Sequence, residues 1–72
     1  MYMIEKLPYL NPATKQKSYR YKSDKGEVSC VFPNEYNDFM FETAVMENEE
    51  PTNIKRFKTI EDVEGYVDSI LL

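Results

Sequence analysis

The C-terminal stretch Thr59-Ile-Glu-Asp-Val-Glu-Gly-Tyr-Val-Asp-Ser-Ile-Leu-Leu72 constrains the fold more than any other part of the chain. Ile60, Val63, Val67, Ile70 and Leu71 recur at helical spacing and make one apolar stripe. Thr59 stands where an N-cap is needed, with Asp62 three residues on in a capping-box-like position. Glu61, Asp62 and Glu64 crowd the first turns, where the helix dipole favours acids. A helix striped on one side has to bury that stripe, and the segments before it read chiefly as strands.

Two hairpins supply those strands. In the first, Lys17–Ser23 and Val28–Phe32 are the arms and Ser23-Asp-Lys-Gly-Glu27 turns between them. A three-residue loop, Asp24–Gly26, pairs Ser23 with Glu27 and leaves both faces mixed. A four-residue loop, Asp24–Glu27, pairs Ser23 with Val28 and sets Tyr21 against Cys30 and Tyr19 against Phe32. Core burial favours the second register, which leaves Arg20 and Lys22 on the outer face. In the second hairpin, Phe39–Glu47 and Asn53–Lys58 flank an acidic turn, Asn48–Thr52. Its first arm puts Phe39, Phe41, Thr43 and Val45 on one face, although its Met, Ala and Glu content suits a helix from Asn34 equally well. Residues Tyr2–Leu7 read as a further strand ending at Pro8, and Tyr9–Lys15 as loop.

These elements predict an α+β fold over a single small domain, residues 1–72. A small antiparallel sheet of about four strands, in two hairpins, is covered on one face by the C-terminal helix. The expected core is Tyr19, Tyr21, Val28, Cys30, Phe32, Phe39, Phe41, Val45 and Phe57 against the helix stripe. Seventy-two residues bury only roughly 60% of their unfolded surface, so such domains usually carry a staple. This one has one cysteine and no histidine, which removes an intrachain disulfide and the Cys/His zinc sites. Cys30 is expected to be a small buried apolar residue, since no imidazole is present to activate it.

Charge divides along the chain. Residues 1–26 carry six bases (Lys6, Lys15, Lys17, Arg20, Lys22, Lys25) against Glu5 and Asp24, a net of +4. Residues 27–72 carry Lys55, Arg56 and Lys58 against eleven acids, a net of −8. Two candidate surfaces follow. Glu61, Glu64 and Asp68 line one side of the helix, and Glu47, Glu49 and Glu50 cluster in the turn before it. Rows of carboxylates imitate nucleic-acid phosphates or dock on a basic partner. The alternative surface is basic and aromatic: Lys15, Lys17, Arg20, Lys22 and Lys25, with Tyr19 and Tyr21, hold the residue types that single-stranded nucleic acid needs. In the favoured register, however, the tyrosines belong to the core, and only a basic patch remains. A solvated helix face and a solvated strand face are the plain readings of the two surfaces.

Carboxylate pairs such as Glu61/Asp62, Glu49/Glu50 and Asp38/Glu42 would need a cleft that separates their pKa values, and so thin a core has little room for one. No enzymatic activity, cofactor or metal is expected. No segment reaches the roughly 18 apolar residues of a membrane span, so no membrane partner is expected. A lone cysteine and an N-terminus without a basic leader point to the cytoplasm. Met1, Tyr2, Met3, Tyr9, Tyr36 and Met40 exceed what one helix on a small sheet needs, so a partner site or a homodimer face is a further reading. The richness in Lys, Glu, Asn, Tyr and Met resembles the small accessory proteins that phages and mobile elements use against host machinery. That resemblance implies an inhibitor or modulator of host nucleic-acid machinery or defence, acting in the host cytoplasm. The expectation is therefore a non-catalytic acidic protein that occupies a protein partner, with a nucleic-acid-binding hairpin and a structural homo-oligomer as alternatives.

Overall fold

The structure is a computed structural model that describes residues 4–72. Five antiparallel strands lie in chain order: β1 (Glu5–Leu10), β2 (Lys17–Ser23), β3 (Gly26–Val31), β4 (Phe41–Glu47) and β5 (Glu50–Phe57). One helix, α1 (Ile60–Leu71), follows β5 and lies across one face of this meander. Thr59 caps it as its sequence indicates, accepting the Asp62 N–H at 3.1 Å. No helix among the described residues is long and apolar enough to cross a membrane.

The core is the seam between α1 and the central strands. Val63, Val67 and Leu71 are fully buried against Tyr21, Val28 and Cys30. Ile60, Ile70, Phe41, Val45 and Phe57 close its margins. Gly65 is solvent-exposed with open space where a Cβ would stand, so it is a weak point in the helix rather than a packing device. Beyond the helix N-terminus the same sheet face carries an aromatic row. Tyr19 meets Phe32 at 5.0 Å and Phe32 meets Phe41 at 5.6 Å between ring centres, both edge to face.

The sheet differs from expectation in four places, each for a local reason. There are five strands, the N-terminal strand joining the two hairpins in one sheet, and that strand runs on through Pro8 to Leu10. An edge strand tolerates a residue without an N–H, so Pro8 does not end it. Tyr2 and Met3, expected to open that strand, lie outside the described residues.

The first hairpin turns on two residues, Asp24 and Lys25, with Ser23 opposite Gly26. Tyr21 therefore faces Val28 and Tyr19 faces Cys30, a slip of two residues from the expected pairing. An even slip preserves parity, so both tyrosines still point to the helix side. Gly26 absorbs the tight turn at φ 148°, a value that side-chain-bearing residues rarely adopt.

The segment 34–48 is neither one strand nor one helix. Glu35–Asn37 form a single 3-10 turn and β4 begins only at Phe41. Phe39, expected in the core, is 73% exposed at φ 57°. Asp38 ends the turn in a left-handed conformation, and this swings the next residue out of the strand line. Finally, the acidic turn is two residues long. Asn48 and Glu49 both take positive φ, and β5 starts at Glu50 with Pro51 on the outer edge of the sheet. A bulge at Asn53–Ile54, opposite Ala44, interrupts the β4–β5 ladder, and next to it Thr43 buries its hydroxyl, which donates to the Lys55 carbonyl at 3.1 Å.

Removing part of the seam tests it. Leu71→Ala should cost about 3 kcal/mol, read as a lower urea midpoint with an unchanged slope. A loss under about 1 kcal/mol would mean that the helix contributes little to the folded state.

Candidate functional site

The basic set is dispersed. Arg20 and Lys22 lie on the open sheet face, and Glu27 engages both, at 2.5 and 3.9 Å. Lys25 reaches the Leu72 carbonyl, where the helix dipole favours a cation. Lys15 and Lys17 are exposed and form no ion pair among the described residues. Lys17 borders a shallow apolar groove of about 400 Å³ with Pro8, Leu10, Tyr19 and Phe32. The five cations thus occupy two faces of the sheet and two separate turns, and three of them are held by the fold.

The acidic set forms two groups. Glu47, Glu49 and Glu50 stand at the exposed tip of the β4–β5 hairpin, and none has an ion-pair partner among the described residues. Glu61 and Asp68 are exposed on α1 and equally without an ion-pair partner among the described residues. Glu64, between them, is turned toward the sheet. It accepts from Lys6 Nζ at 2.7 Å and from the Tyr21 hydroxyl at 3.0 Å. The helix C-terminus is tied to the first hairpin by the Ser23 hydroxyl, which donates to the Leu71 carbonyl at 3.0 Å. Gly26–Glu27 then lead across β3 to Met46 and Glu47, so Asp68 and the acidic tip share one end of the molecule. Glu61 sits at the other end, where β5 leaves the sheet.

Between the two hairpin tips lies an open groove of about 720 Å³. Its lining mixes signs: Arg20, Lys22 and Lys25 with Asp24, Glu27 and Glu49. On the opposite margin of the open face Arg56 bonds Asp38 at 2.7 Å and Glu42 at 2.9 Å. Among the described residues no three His, Cys, Asp or Glu side chains gather in a way that could hold a metal ion.

The perturbed groups lie in the seam. The hydrogen bond from Lys6 holds the Glu64 carboxyl below its ordinary pKa, and the same contact raises Lys6. Burial, then the hydrogen bond to Glu64, pushes the Tyr21 phenol well above its usual value. Burial pushes the Cys30 thiol up to about 11, and the Glu64 charge adds to the shift. Both seam groups are therefore held protonated at neutral pH, the reverse of what activates a nucleophile.

Several contributors were missed from the sequence. Glu27 neutralises Arg20 and Lys22, Lys6 holds Glu64, and Phe39 stands exposed. Glu27 was legible in principle, because a two-residue turn sets it directly opposite Lys22. The sequence Asp-Lys lacks the glycine or asparagine that marks such turns.

Two measurements follow from these shifts. Glu64 has a lowered pKa in the fold, so its contribution is present above its unfolded value, about 4.3, and is lost as pH falls through the lower folded one. Glu64→Gln should flatten that part of the stability–pH curve, by a small amount since the pair is partly exposed. Cys30 behaves oppositely: its contribution is full below about 8.5 and is lost as pH rises toward about 11. Alkylation of Cys30 at pH 8 should proceed only as fast as the chain opens, and rapid labelling of the native protein would contradict its burial.

No protein-family model, curated protein or solved structure matches the chain, so its chemistry is read from its own residues.

Proposed function

We propose that this chain is a non-catalytic binding protein that occupies a basic surface of a macromolecular partner and so inhibits or modulates it. Asymmetric pairing of surface charge carries this reading. The cations best placed for phosphate binding, Arg20 and Lys22, are engaged by Glu27 on the same face. Glu47, Glu49, Glu50, Glu61 and Asp68 are exposed, and among the described residues no cation is held against them. Among the described residues the exposed cations left outside ion pairs, side-chain hydrogen bonds and ring contacts are Lys15, Lys17 and Lys58. The exposed unpaired acids outnumber them, so the charge left for an outside partner is net negative. Nucleic-acid-binding proteins are the class whose working surfaces are basic, so nucleic-acid machinery is the partner class this surface fits.

The nucleic-acid-binding alternative would have to release Arg20 and Lys22 from Glu27, and Tyr21 is buried under α1. Edge-to-edge assembly is opposed at both margins of the sheet, by Pro8 on β1 and by Pro51 and the bulge at Asn53 on β5.

Glu49 separates recognition from folding. At φ 66° it occupies a position that suits glycine, so Glu49→Gly should raise stability by roughly 1 kcal/mol. The same substitution removes one acid from the tip. Affinity capture with wild type, Glu49→Gly and Glu47→Lys/Glu50→Lys should show partner retention falling in that order and insensitivity to nuclease. Retention that disappears with nuclease, or that charge reversal leaves intact, would contradict the acidic surface.

A further inference from the structure

The geometry points to the loop between β3 and β4 as a preorganised aromatic contact, through which the protein inserts Phe39 and Tyr36 into an apolar pocket rimmed by lysine or arginine on a protein partner. It rests on the binding-protein reading and names the hydrophobic half of that contact. Three independent observations meet here.

The first is exposure. Tyr36 and Phe39 are 86% and 73% exposed, more than any other large apolar side chain among the described residues. Neither ring stacks on another aromatic. The second is backbone strain at the exposed ring. Asp38 and Phe39 are consecutive left-handed residues, at φ 56° and 57°, and a bulky aromatic is among the poorest choices for that conformation. Phe39 therefore contributes neither burial nor comfortable geometry to the fold. Strain of this kind persists where surroundings over-determine it, commonly at ligand clamps.

The third is rigidity. Asn37 is buried, accepts the Asn34 N–H at 2.8 Å and donates to the Phe32 carbonyl at 3.1 Å. Asn34 in turn accepts the Tyr36 N–H at 2.7 Å through its side chain and the Phe39 N–H at 2.8 Å through its carbonyl. Arg56 anchors Asp38 from β5. Two rings are thus displayed on a framework that has little left to order on binding, which is the condition for an efficient aromatic anchor.

Charge selects the occupant. Glu35 and Asp38 flank the rings, and the cation bonded to this loop, Arg56, is committed to Asp38 and Glu42, while Lys15 and Lys17 stand at the base of the loop, on either side of the Gln16 that bonds Asn34. Bases of a single strand would stack well on both rings, but their phosphates would approach these carboxylates. A protein pocket bordered by basic side chains meets both the rings and the acids.

The test uses the whole chain. Phe39→Asn places a residue that tolerates the left-handed conformation, and its urea midpoint should equal or exceed that of wild type. A lower midpoint, or failure to fold, would make the ring structural and overturn the proposal. A random twelve-residue peptide library is then panned on the wild-type protein alone, and the enriched peptides are measured against each variant. Enriched peptides should carry an apolar anchor beside Lys or Arg. They should lose about tenfold or more in affinity against Phe39→Asn and against Tyr36→Ser, and retain it against Ile54→Thr on the open sheet face. Peptides that bind Phe39→Asn equally but fail on Glu47→Lys/Glu50→Lys would overturn this inference and leave the binding-protein reading standing. No enrichment at all would overturn both. A dT12 oligonucleotide that binds wild type and is lost with Phe39→Asn would replace the protein partner with a nucleic acid.

Discussion

The burial of Val63, Val67 and Leu71 against Tyr21, Val28 and Cys30 is the contact on which the rest of this structure depends. The chain has no disulfide, and its only cysteine lies within that seam. Fully burying three aliphatic side chains is worth roughly 5–8 kcal/mol at most. That is comparable with the whole stability of a small domain. One helix covers only part of one face, so the remainder of the sheet is held mainly by its own ladder and by edge-to-face rings such as Tyr19–Phe32–Phe41. The polar contacts that cross from helix to sheet do a different job. Ser23 to Leu71, and Lys6 and Tyr21 to Glu64, fix where the helix lies along strands that would otherwise let it slide.

The same economy governs surface charge. Most cations on the sheet have a structural neighbour: Lys6 has Glu64, Arg20 and Lys22 share Glu27, Arg56 holds Asp38 and Glu42, and Lys55 lies over the Tyr66 ring at 5.1 Å, whereas Lys17 has no acid against it among the described residues. The acids of the β4–β5 tip, with Glu61 and Asp68 on the helix, have no cation against them among the described residues. Fold requirements and recognition therefore draw on separate residues. The two places where side-chain-bearing residues run consecutively through left-handed backbone, Asp38–Phe39 and Asn48–Glu49, are also where an exposed ring and an exposed acid are presented. Strain sits at the loops, away from the seam.

The helix and the inward parity of Tyr19, Tyr21, Val28 and Cys30 were legible because each rests on a local period that burial enforces. The register was not, because a slip of two residues leaves every side chain on its proper face and so escapes any test based on hydrophobic pattern. Phe39 misled for the opposite reason. It continues the alternation of Phe41, Thr43 and Val45, but Asn34 and Asn37 build a turn whose side-chain bonds outweigh the extended preference of the strand. The acids of the candidate surface were identified as a set but not as two ends of one molecule. Sequence spacing places Glu61, Glu64 and Asp68 in a row, whereas only the tertiary fold brings Lys6 to neutralise the middle one.

Competition is the most direct test that the acidic surface occupies a nucleic-acid-binding site. A captured partner is loaded with a fluorescent oligonucleotide, and anisotropy is followed as the chain is added at low and moderate salt. The account predicts that the oligonucleotide is displaced, that displacement weakens as salt rises, and that Glu47→Lys/Glu50→Lys fails to displace it. A ternary complex in which the oligonucleotide stays bound, or direct binding of the oligonucleotide to the chain, would contradict it.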